Sequence, residues 1–373
     1  MALIDVIIPV YNDRDYIKRT VDSIKNQTII EPRTQREGAK SARACSGDIT
    51  ITLIDDCSTD GTSKLCDTLA LLGGINVIHN ETNLGVSASR EVGVRATKSR
   101  WVFFIDHDDV IKEDCFEHLL AMAEGVTEPA VLCIRGEERE GKEVDFPTWK
   151  GQGDGSITVM TGHDANLRIL TEEEDFGYIG SLWGKLIDRR IIDIILEETA
   201  CYKDTIRSMY LEDALCMPIL FHNAAVVKVD NYFCHIHRRL ENSLSISLKP
   251  GYYMYDWVRA TGVFVGYLRE HGYEKLWKYS LLGMFQTACS VWYRSWNYET
   301  DDDKKTSYDA YVTELFNRYY ESFLATVPKG VGEKVKYLSI SRFAQDRLKW
   351  NRTIGKLWFE TIYKFPLLAK KIR

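Results

Sequence analysis

Three carboxylates fall within four positions, directly after an apolar run, in this 373-residue chain. Residues 101–105 are apolar without alternation, which is typical of a strand buried on both faces. Asp106, Asp108 and Asp109 follow at its C-terminal end, where open α/β sheets bind ligands. Crowded carboxylates repel one another unless a cation shares the site, and Mg²⁺ or Mn²⁺ prefers oxygen ligands. The pattern predicts a divalent metal site that holds a phosphate-bearing ligand.

The same acids also have a simpler interpretation. Asp108 and Asp109 precede a helix predicted at residues 115–124, and acidic side chains near a helix N-terminus cap it and interact favourably with its dipole. These residues alone do not decide between a metal site and a capping loop.

The elements around this strand repeat a strand–helix order. Apolar, β-branched runs predict strands at residues 3–10, 49–54, 76–79, 101–105 and 130–134, and helical spacing follows each of the first four. This order favours a doubly wound α/β sheet. Neither Gly-x-Gly-x-x-Gly nor Gly-x-x-x-x-Gly-Lys-Ser/Thr follows any of these strands, which argues against a dinucleotide-binding enzyme or a P-loop NTPase.

Composition and charge bound the class of protein. Hydrophobic residues make up 45% and charged residues 27%, as in ordinary soluble globular proteins. A net charge of −6 argues against a nucleic-acid partner. Nine scattered cysteines without Cys-x-x-Cys suit reduced thiols rather than disulfides or a zinc site. Residues 1–5 lack the features of a signal peptide, and no apolar run approaches the roughly 18 residues of a membrane span. These features predict a cytoplasmic protein.

The sequence changes character at Pro250 and Gly251, so we predict two domains, residues 1–249 and residues 250–373. Residues 31–48 are polar with almost no apolar anchors, which predicts a flexible insertion loop in the first domain. The second domain is predicted to be mainly helical and rich in Tyr, Trp and Leu, and its helices offer a surface for oligomer formation.

The end of the chain is strongly basic. Residues 341–373 contain nine cations and two acids, interleaved with aromatic and aliphatic side chains. Such a segment suits contact with an anionic membrane surface, here the inner face of the plasma membrane. The alternative is a basic helix packed on the acidic body of the protein itself.

Six segments in order resemble the family 2 glycosyltransferases of the GT-A fold. They are residues 6–12, 53–62, 83–93, 106–109, 183–186 and 212–213. The resemblance covers about residues 1–245 and implies an α/β nucleotide-diphospho-sugar transferase, with a Rossmann-like mixed sheet flanked by helices. The mainly helical C-terminal extension lies outside it.

The resemblance assigns the donor side of the site. Asp108 resembles the metal-binding acid of the family's Asp-x-Asp pattern, Asp106 the acid that holds the ribose or assists the metal, and Asp109 is the alternative for either role. Asp56, with Asp55 as the alternative, resembles the acid that recognises a uracil-type base. The implied nucleotide-sugar-binding set is Pro9, Tyr11, Asn12, Asp55, Asp56, Arg90, Asp106 and His107. Turn structure and core packing alone would also explain Pro9 and Tyr11.

Transfer also requires a group that accepts the proton of the attacking hydroxyl, and a carboxylate within hydrogen-bond reach serves this purpose. By resemblance to the family's Glu-Asp motif, Asp213 is the predicted base and Glu212 its catalytic neighbour. Both acids also suit simple stabilisation of a helix dipole.

Three further side chains complete the prediction. Trp183 and Lys185 are the predicted acceptor-binding residues. Trp183 offers a flat face for an acceptor sugar, and Lys185 suits a phosphate or Asp213. His237, near His235, joins Asp108 and Asp109 as a predicted metal ligand, while an ordinary core or surface histidine is the default for both imidazoles.

The predicted function is inverting, Mn²⁺- or Mg²⁺-dependent transfer from a nucleotide-sugar, in particular a UDP-sugar. The acceptor would be a saccharide or lipid-linked saccharide in cell-surface polysaccharide synthesis. One alternative is a scaffold protein that keeps a catalytically weak nucleotide-sugar pocket. Nucleotidyl transfer would need a Gly-rich basic loop near the N-terminus, which residues 6–15 lack.

Overall fold

The computed structural model describes residues 3–30, 49–71, 73–140, 153–170, 180–206, 210–239 and 252–325. The chain divides into two compact units, Met1–Ser243 and Leu244–Arg373. The insertion loop predicted at residues 31–48 and the basic segment 341–373 lie outside the described residues.

Four parallel strands form one half of the sheet of the first unit. They are β1 (Ile4–Val10), β2 (Ile49–Asp55), β3 (Ile75–His79) and β4 (Trp101–Phe104). Ile4 of β1 lies opposite both Ile49 of β2 and Trp101 of β4. Because these strands start in register and run the same way, the loops that follow them meet at one edge of the sheet.

The other half of the sheet is mixed. Its strands are β5 (Val110–Ile111), β6 (Ala130–Glu140), β7 (Gly153–Met160), β8 (Lys185–Asp188) and β9 (Val226–Arg239). Within the described residues the order is β3-β2-β1-β4-β8-β6-β9-β5, and β7 also pairs with β9. The antiparallel strand β8 joins the parallel half to β6, and the long strand β9 carries both β5 and β7 at its far side.

Seven helices accompany this sheet among the described residues. They are α1 (Ile17–Lys25), α2 (Thr62–Leu71), α3 (Val86–Ala96), α4 (Cys115–Ala123), α5 (Gly162–Leu170), α6 (Arg189–Glu198) and α7 (Asp213–His222). The expected α/β class, with a mixed sheet flanked by helices and a helical C-terminal region, is confirmed.

Apolar strands explain where the core lies. All seven residues of β1 are buried, and its Val6 and Ile8 pack in one cluster with Ile17 and Val21 of α1. On α3, Gly93 allows close packing on the sheet, because a Cβ there would lie 2.5 Å from Cγ2 of Ile7. Burial of the strands on both faces explains their lack of polar alternation.

The strand predictions fail mainly where charged residues continue a strand. β9 runs through charged residues to Arg239 and includes His235 and His237, which the predicted strands do not cover. β6 likewise extends through a charged stretch to Glu140. Pairing with neighbouring strands overrides the local composition in both cases.

The described part of the second unit is helical. It contains α8 (Tyr252–Glu270), α9 (Glu274–Tyr298) and α10 (Asp302–Leu324). Aromatic packing is prominent, with the rings of Phe285 and Phe316 4.5 Å apart. None of the helices in the described ranges combines the length and the apolar content that crossing a membrane requires.

Candidate active site

The loops after β1 and β2 are bound to each other. Asn12 adopts a left-handed backbone conformation with φ of 50°. Its N–H donates to Oγ of Ser58 at 2.9 Å, and its Oδ1 accepts from the N–H of Thr59 at 2.7 Å. Pro9 is buried, whereas Tyr11 is 46% exposed. The predicted nucleotide residues of these loops therefore share one edge of the sheet, where the Tyr11 ring is accessible.

Asp55 and Asp56 are both buried and bind different loops. Asp56 accepts from the backbone N–H groups of Leu84 and Gly85, each at 2.8 Å. Asp55 lies 2.8 Å from Nδ1 of His79, and although burial raises its pKa, hydrogen bonds from Ser58 and other neighbours lower it overall. Both carboxylates thus position the loops in front of α2 and α3, and recognition of a base by Asp56 remains a prediction.

Helix α1 holds the acidic turn after β4. The hydroxyl of the buried Thr20 lies 2.7 Å from the carbonyl oxygens of both His107 and Asp109. The N–H of Asp109 donates to the carbonyl oxygen of Asp106 at 3.1 Å. The cap of α4 is Asp114, so the capping interpretation of Asp108 and Asp109 does not describe this turn.

Asp109 is fully buried and is held by β9. Its Oδ2 lies 2.8 Å from Nε2 of His235 and 3.2 Å from Nδ1 of His237, and its Oδ1 accepts from the N–H of Arg238 at 3.0 Å. Burial raises the pKa of Asp109, but hydrogen bonds with His235 and His237 outweigh it and hold the pKa far below its usual range. Asp109 therefore stays ionised in the interior.

Three of these side chains converge in a way that suits a metal ion. One ligand atom from each of Asp106, Asp109 and His237 lies within 4.8 Å of the others. Two carboxylates and one imidazole fit Mn²⁺, and they fit Mg²⁺ less well because it prefers oxygen alone. Asp106 and His237 keep 29% and 28% of their side chains exposed, which leaves the group open on one side.

The remaining residues of the acidic turn face a different set of charges. Nδ1 of His107 lies 2.6 Å from Oδ2 of Asp13. Burial lowers the pKa of His107, but Asp13 and the neighbouring carboxylates raise it to about 9. Burial together with Asp109 and Asp106 raises the pKa of Asp108 to about 7, although His107 opposes this shift. Asp108 is not part of the converging group, and its metal role stays a prediction.

Trp183 lies over the two histidines of β9. Its ring stacks on His235 at 4.5 Å and on His237 at 5.4 Å between centroids. A Cβ on Gly136 would lie 2.5 Å from Cζ3 of Trp183, so only glycine leaves room for this ring. Lys185 is buried in β8, and its Nζ donates to the carbonyl oxygen of Ser181. Both residues lie near the site, and Trp183 holds the imidazoles in place.

Arg90 joins the acidic turn to the start of α7. Its guanidinium donates to Oδ1 of Asp106 at 2.8 Å, to Oε1 of Glu212, and to the carbonyl oxygen of Leu211 at 3.1 Å. Only 6% of its side chain is exposed. Burial lowers the pKa of Arg90, but Glu212 and Asp106 raise it overall, so the guanidinium remains charged. One buried cation therefore brings together the two predicted groups of acids.

The predicted catalytic acids lie at the N-terminus of α7. Glu212 occupies the N-cap position, and Oδ1 of Asp213 accepts from the N–H of Leu182 at 2.7 Å. Burial and the nearby charge of Asp213 raise the pKa of Glu212 to about 7, against the opposing effect of Arg90. Burial likewise raises the pKa of Asp213. Glu212 is therefore suited to exchange a proton near neutral pH, and Asp213 is a stronger base than an ordinary aspartate.

Comparison with known proteins gives a family match for the N-terminal part of the chain. Residues 5–181 match the family model described as Glycosyl transferase family 2. The matched stretch makes up slightly less than half of the chain. The glycosyltransferase GlyG of Streptococcus pneumoniae is 29% identical over 31% of this chain and 34% of its own length. The uncharacterized glycosyltransferase EpsJ of Bacillus subtilis is 26% identical over 67% of this chain and 65% of its own length.

Two further similarities come from another relative and a solved structure. The putative teichuronic acid biosynthesis glycosyltransferase TuaG of B. subtilis is 33% identical over 32% of this chain and 40% of its length. A crystal structure of S. aureus TarS 1–349 in complex with UDP-GlcNAc has a TM-score of 0.48 and 19% identity, covering 91% of this chain and 79% of that chain. The chain thus spans about a third to two thirds of the three curated relatives.

Two sets of contacts in the site were not predicted from the sequence. His235 contacts Asp109, and Arg90 binds both Asp106 and Glu212. The nucleotide-sugar contact of Arg90 stays a prediction. The spacing of His235 and His237 was the available signal, because residues two apart in a strand share one face. Nothing in the local sequence around Arg90 indicates partners as distant as Glu212.

Proposed function

We propose that this protein is an inverting glycosyltransferase that uses a nucleotide-sugar, in particular a UDP-sugar, and a divalent metal ion. One observation carries the proposal: Arg90 links Asp106, of the group suited to a metal, with Glu212, beside the partly buried Asp213. Sugar transfer needs both a site for the diphosphate and a base for the acceptor. The match of residues 5–181 to the model of glycosyl transferase family 2 supports the same chemistry.

Asp213 is the base in this proposal. Its carboxylate takes the proton of an acceptor hydroxyl while the hydroxyl oxygen attacks the anomeric carbon of the donor. The bond between that carbon and the diphosphate oxygen breaks on the opposite face, so the configuration inverts and a nucleoside diphosphate leaves. Burial supports the role, because it raises the pKa of Asp213 and makes the carboxylate a stronger base.

Asp106, Asp109 and His237 are the residues that would hold Mn²⁺, with Asp108 as a further candidate. A bound divalent cation supplies positive charge that stabilises the leaving diphosphate. Arg90 complements this group by keeping Asp106 oriented through a 2.8 Å hydrogen bond.

A cell-surface saccharide or lipid-linked saccharide is the proposed acceptor. The name of TuaG, a putative teichuronic acid biosynthesis glycosyltransferase, supports this class. The basic residues 341–373 fit a location on the inner face of the plasma membrane, where a lipid-linked acceptor would be reached. Trp183 and Lys185 remain candidates for acceptor contacts.

The decisive experiment is a transfer assay with a panel of nucleotide-sugars and saccharide acceptors, in Mn²⁺ and in EDTA. We expect release of UDP only with metal. Asp213→Asn should lower kcat by about 10³-fold, within the range of lost general-base catalysis. Donor affinity, measured by calorimetry, should change less than about twofold, since this change spares the diphosphate site.

Asp193→Asn is the matched control, because Asp193 is an exposed carboxylate of α6. It should transfer at the wild-type rate. Near-normal turnover by Asp213→Asn would refute the assignment of the base. Donor binding without transfer by the wild-type protein would favour the alternative, a scaffold protein that retains a nucleotide-sugar pocket.

A further inference from the structure

The segment before the catalytic acids is bound to one face of α3. Ser87, Arg90 and Glu91 are buried on this helix at positions i, i+3 and i+4, which lie side by side on a helix surface. Oγ of Ser87 accepts from the N–H of Leu211 at 3.2 Å, and Arg90 donates to the carbonyl oxygen of Leu211 at 3.1 Å. Both backbone polar groups of Leu211 are therefore held by α3.

Glu91 is the centre of the remaining contacts. Its Oε2 accepts from the hydroxyl of Tyr210 at 2.6 Å, and its Oε1 accepts from Nζ of Lys203 at 2.6 Å. Tyr210 is 3% exposed, and Glu91 is 8% exposed. Nζ of Lys203 also lies 5.3 Å from the centroid of the Tyr210 ring, so the three side chains form one compact group.

The geometry leads us to infer that Glu91 is a positioning residue, which fixes Tyr210 and thereby the catalytic pair Glu212 and Asp213. Glu91 is part of neither the predicted metal group nor the predicted nucleotide contacts. Its effect on the reaction would pass along two residues of backbone, from Tyr210 to Glu212. The inference rests on the proposed transferase function, and it adds a residue that the carboxylate motifs do not include.

Burial makes this interaction specific. A carboxylate taken out of water needs partners to compensate for lost hydration, and a tyrosine hydroxyl left without an acceptor in the interior is also unfavourable, though less so than an unpaired charge. Glu91 and Tyr210 satisfy each other, which restricts the segment to one position. Small displacements of a catalytic group lower the rate strongly, because attack requires the reacting atoms to be aligned.

Glu91→Gln and Tyr210→Phe test the inference, with Arg95→Gln as the matched control. Arg95 also binds Glu91, but its side chain is 64% exposed and it belongs to the same helix. We expect both test variants to lower kcat about tenfold, with unchanged Kd for the donor. Amide hydrogen exchange of Leu211 should accelerate in both variants, while the control should match the wild type in every measurement.

The hydrogen-exchange measurement does not depend on activity, so the two proposals can fail separately. Wild-type protein without transfer activity would refute the proposed function, and faster exchange in the test variants would still establish the contact. Unchanged exchange, or a kcat equal to that of Arg95→Gln, would overturn the positioning role. A loss of donor affinity as large as the loss of kcat would also overturn the positioning role. If Glu91→Gln does not fold, Tyr210→Phe decides the question.

Discussion

Asp109, in the turn after β4, is fully buried, Glu212, at the start of α7, is partly buried, and the two carboxylates have different partners. Asp109 is surrounded by donors: two imidazoles and the backbone N–H of Arg238. Glu212 has one cationic partner, Arg90, and a second acid, Asp213, beside it. Donors stabilise the ionised form in the first case, whereas burial and like charge oppose ionisation in the second.

The two environments have opposite consequences for proton binding. The pKa of Asp109 is lowered, so its contribution to stability is present above the unfolded value of 3.8 and is lost as the pH falls further. The pKa of Glu212 is raised to about 7 from 4.5, so its contribution is favourable below 4.5 and is lost as the pH rises through 7. The same chemical group is thus suited to hold charge in one place and to exchange protons in the other.

The largest expected effect on stability is at Asp109, in the turn after β4. Asp109→Ala leaves two imidazoles and a backbone N–H without their acceptor in the interior. We expect the free energy of unfolding to fall by about 3 kcal/mol, as when one partner of a buried charged pair is removed. Urea denaturation measures this change. Asp193→Ala, on the surface of α6, should change it by less than about 0.5 kcal/mol. A loss below about 1 kcal/mol for Asp109→Ala would show that the contacts are weak.

A smaller loss of stability is expected at Gly136, which packs against Trp183 and His235. In Gly136→Ala the new Cβ would lie 2.5 Å from Trp183 and 3.1 Å from the carbonyl oxygen of His235. We expect the free energy of unfolding to fall by about 1–3 kcal/mol, as in other overpacked cores. Thermal denaturation measures it, with Gly283→Ala as control because no atom lies within 4 Å of a Cβ there. Unchanged stability in Gly136→Ala would mean that Trp183 can move away freely.

Glu212 and Asp213, at the start of α7, should determine the pH dependence of transfer. A base must be deprotonated, so activity is lost as the pH falls below the raised pKa of the pair Glu212 and Asp213. We expect kcat to fall about tenfold per pH unit on this acid limb. Because the two acids interact, the apparent pKa belongs to the pair. Steady-state rates at saturating donor and acceptor measure it, and a rate independent of pH between 5 and 7 would contradict the account.

The first strands and the acids themselves could be predicted from sequence. The apolar runs of β1, β2 and β4 predict buried strands, and the acids of residues 106–109 stand out by their spacing. The acids of residues 212–213 were assigned by resemblance to the family's Glu-Asp motif. The two-residue strand β5 and the charged end of β9 could not be found in this way. Their strand structure depends on pairing with a neighbouring strand. Val110 of β5, for example, pairs with Ile236 of β9.

The contacts within the site were harder to predict than its members. Asp109 and His235 are 126 positions apart, and Arg90 and Glu212 are 122 positions apart. No local pattern specifies such partners, since they meet only when β9 and α7 take their places in the fold. For the same reason, the sequence did not indicate that Glu91, on the same face of α3 as Arg90, accepts a hydrogen bond from Tyr210.

Binding of Mn²⁺ in the presence of UDP tests most directly whether the two groups of acids have separate roles. Electron paramagnetic resonance of free Mn²⁺ would give the Kd for the wild type, Asp109→Asn and Asp213→Asn. We predict that Asp213→Asn binds Mn²⁺ like the wild type, and that Asp109→Asn binds it at least about tenfold more weakly. Equal weakening in both variants, or wild-type affinity in Asp109→Asn, would contradict the division of roles between the turn after β4 and the start of α7.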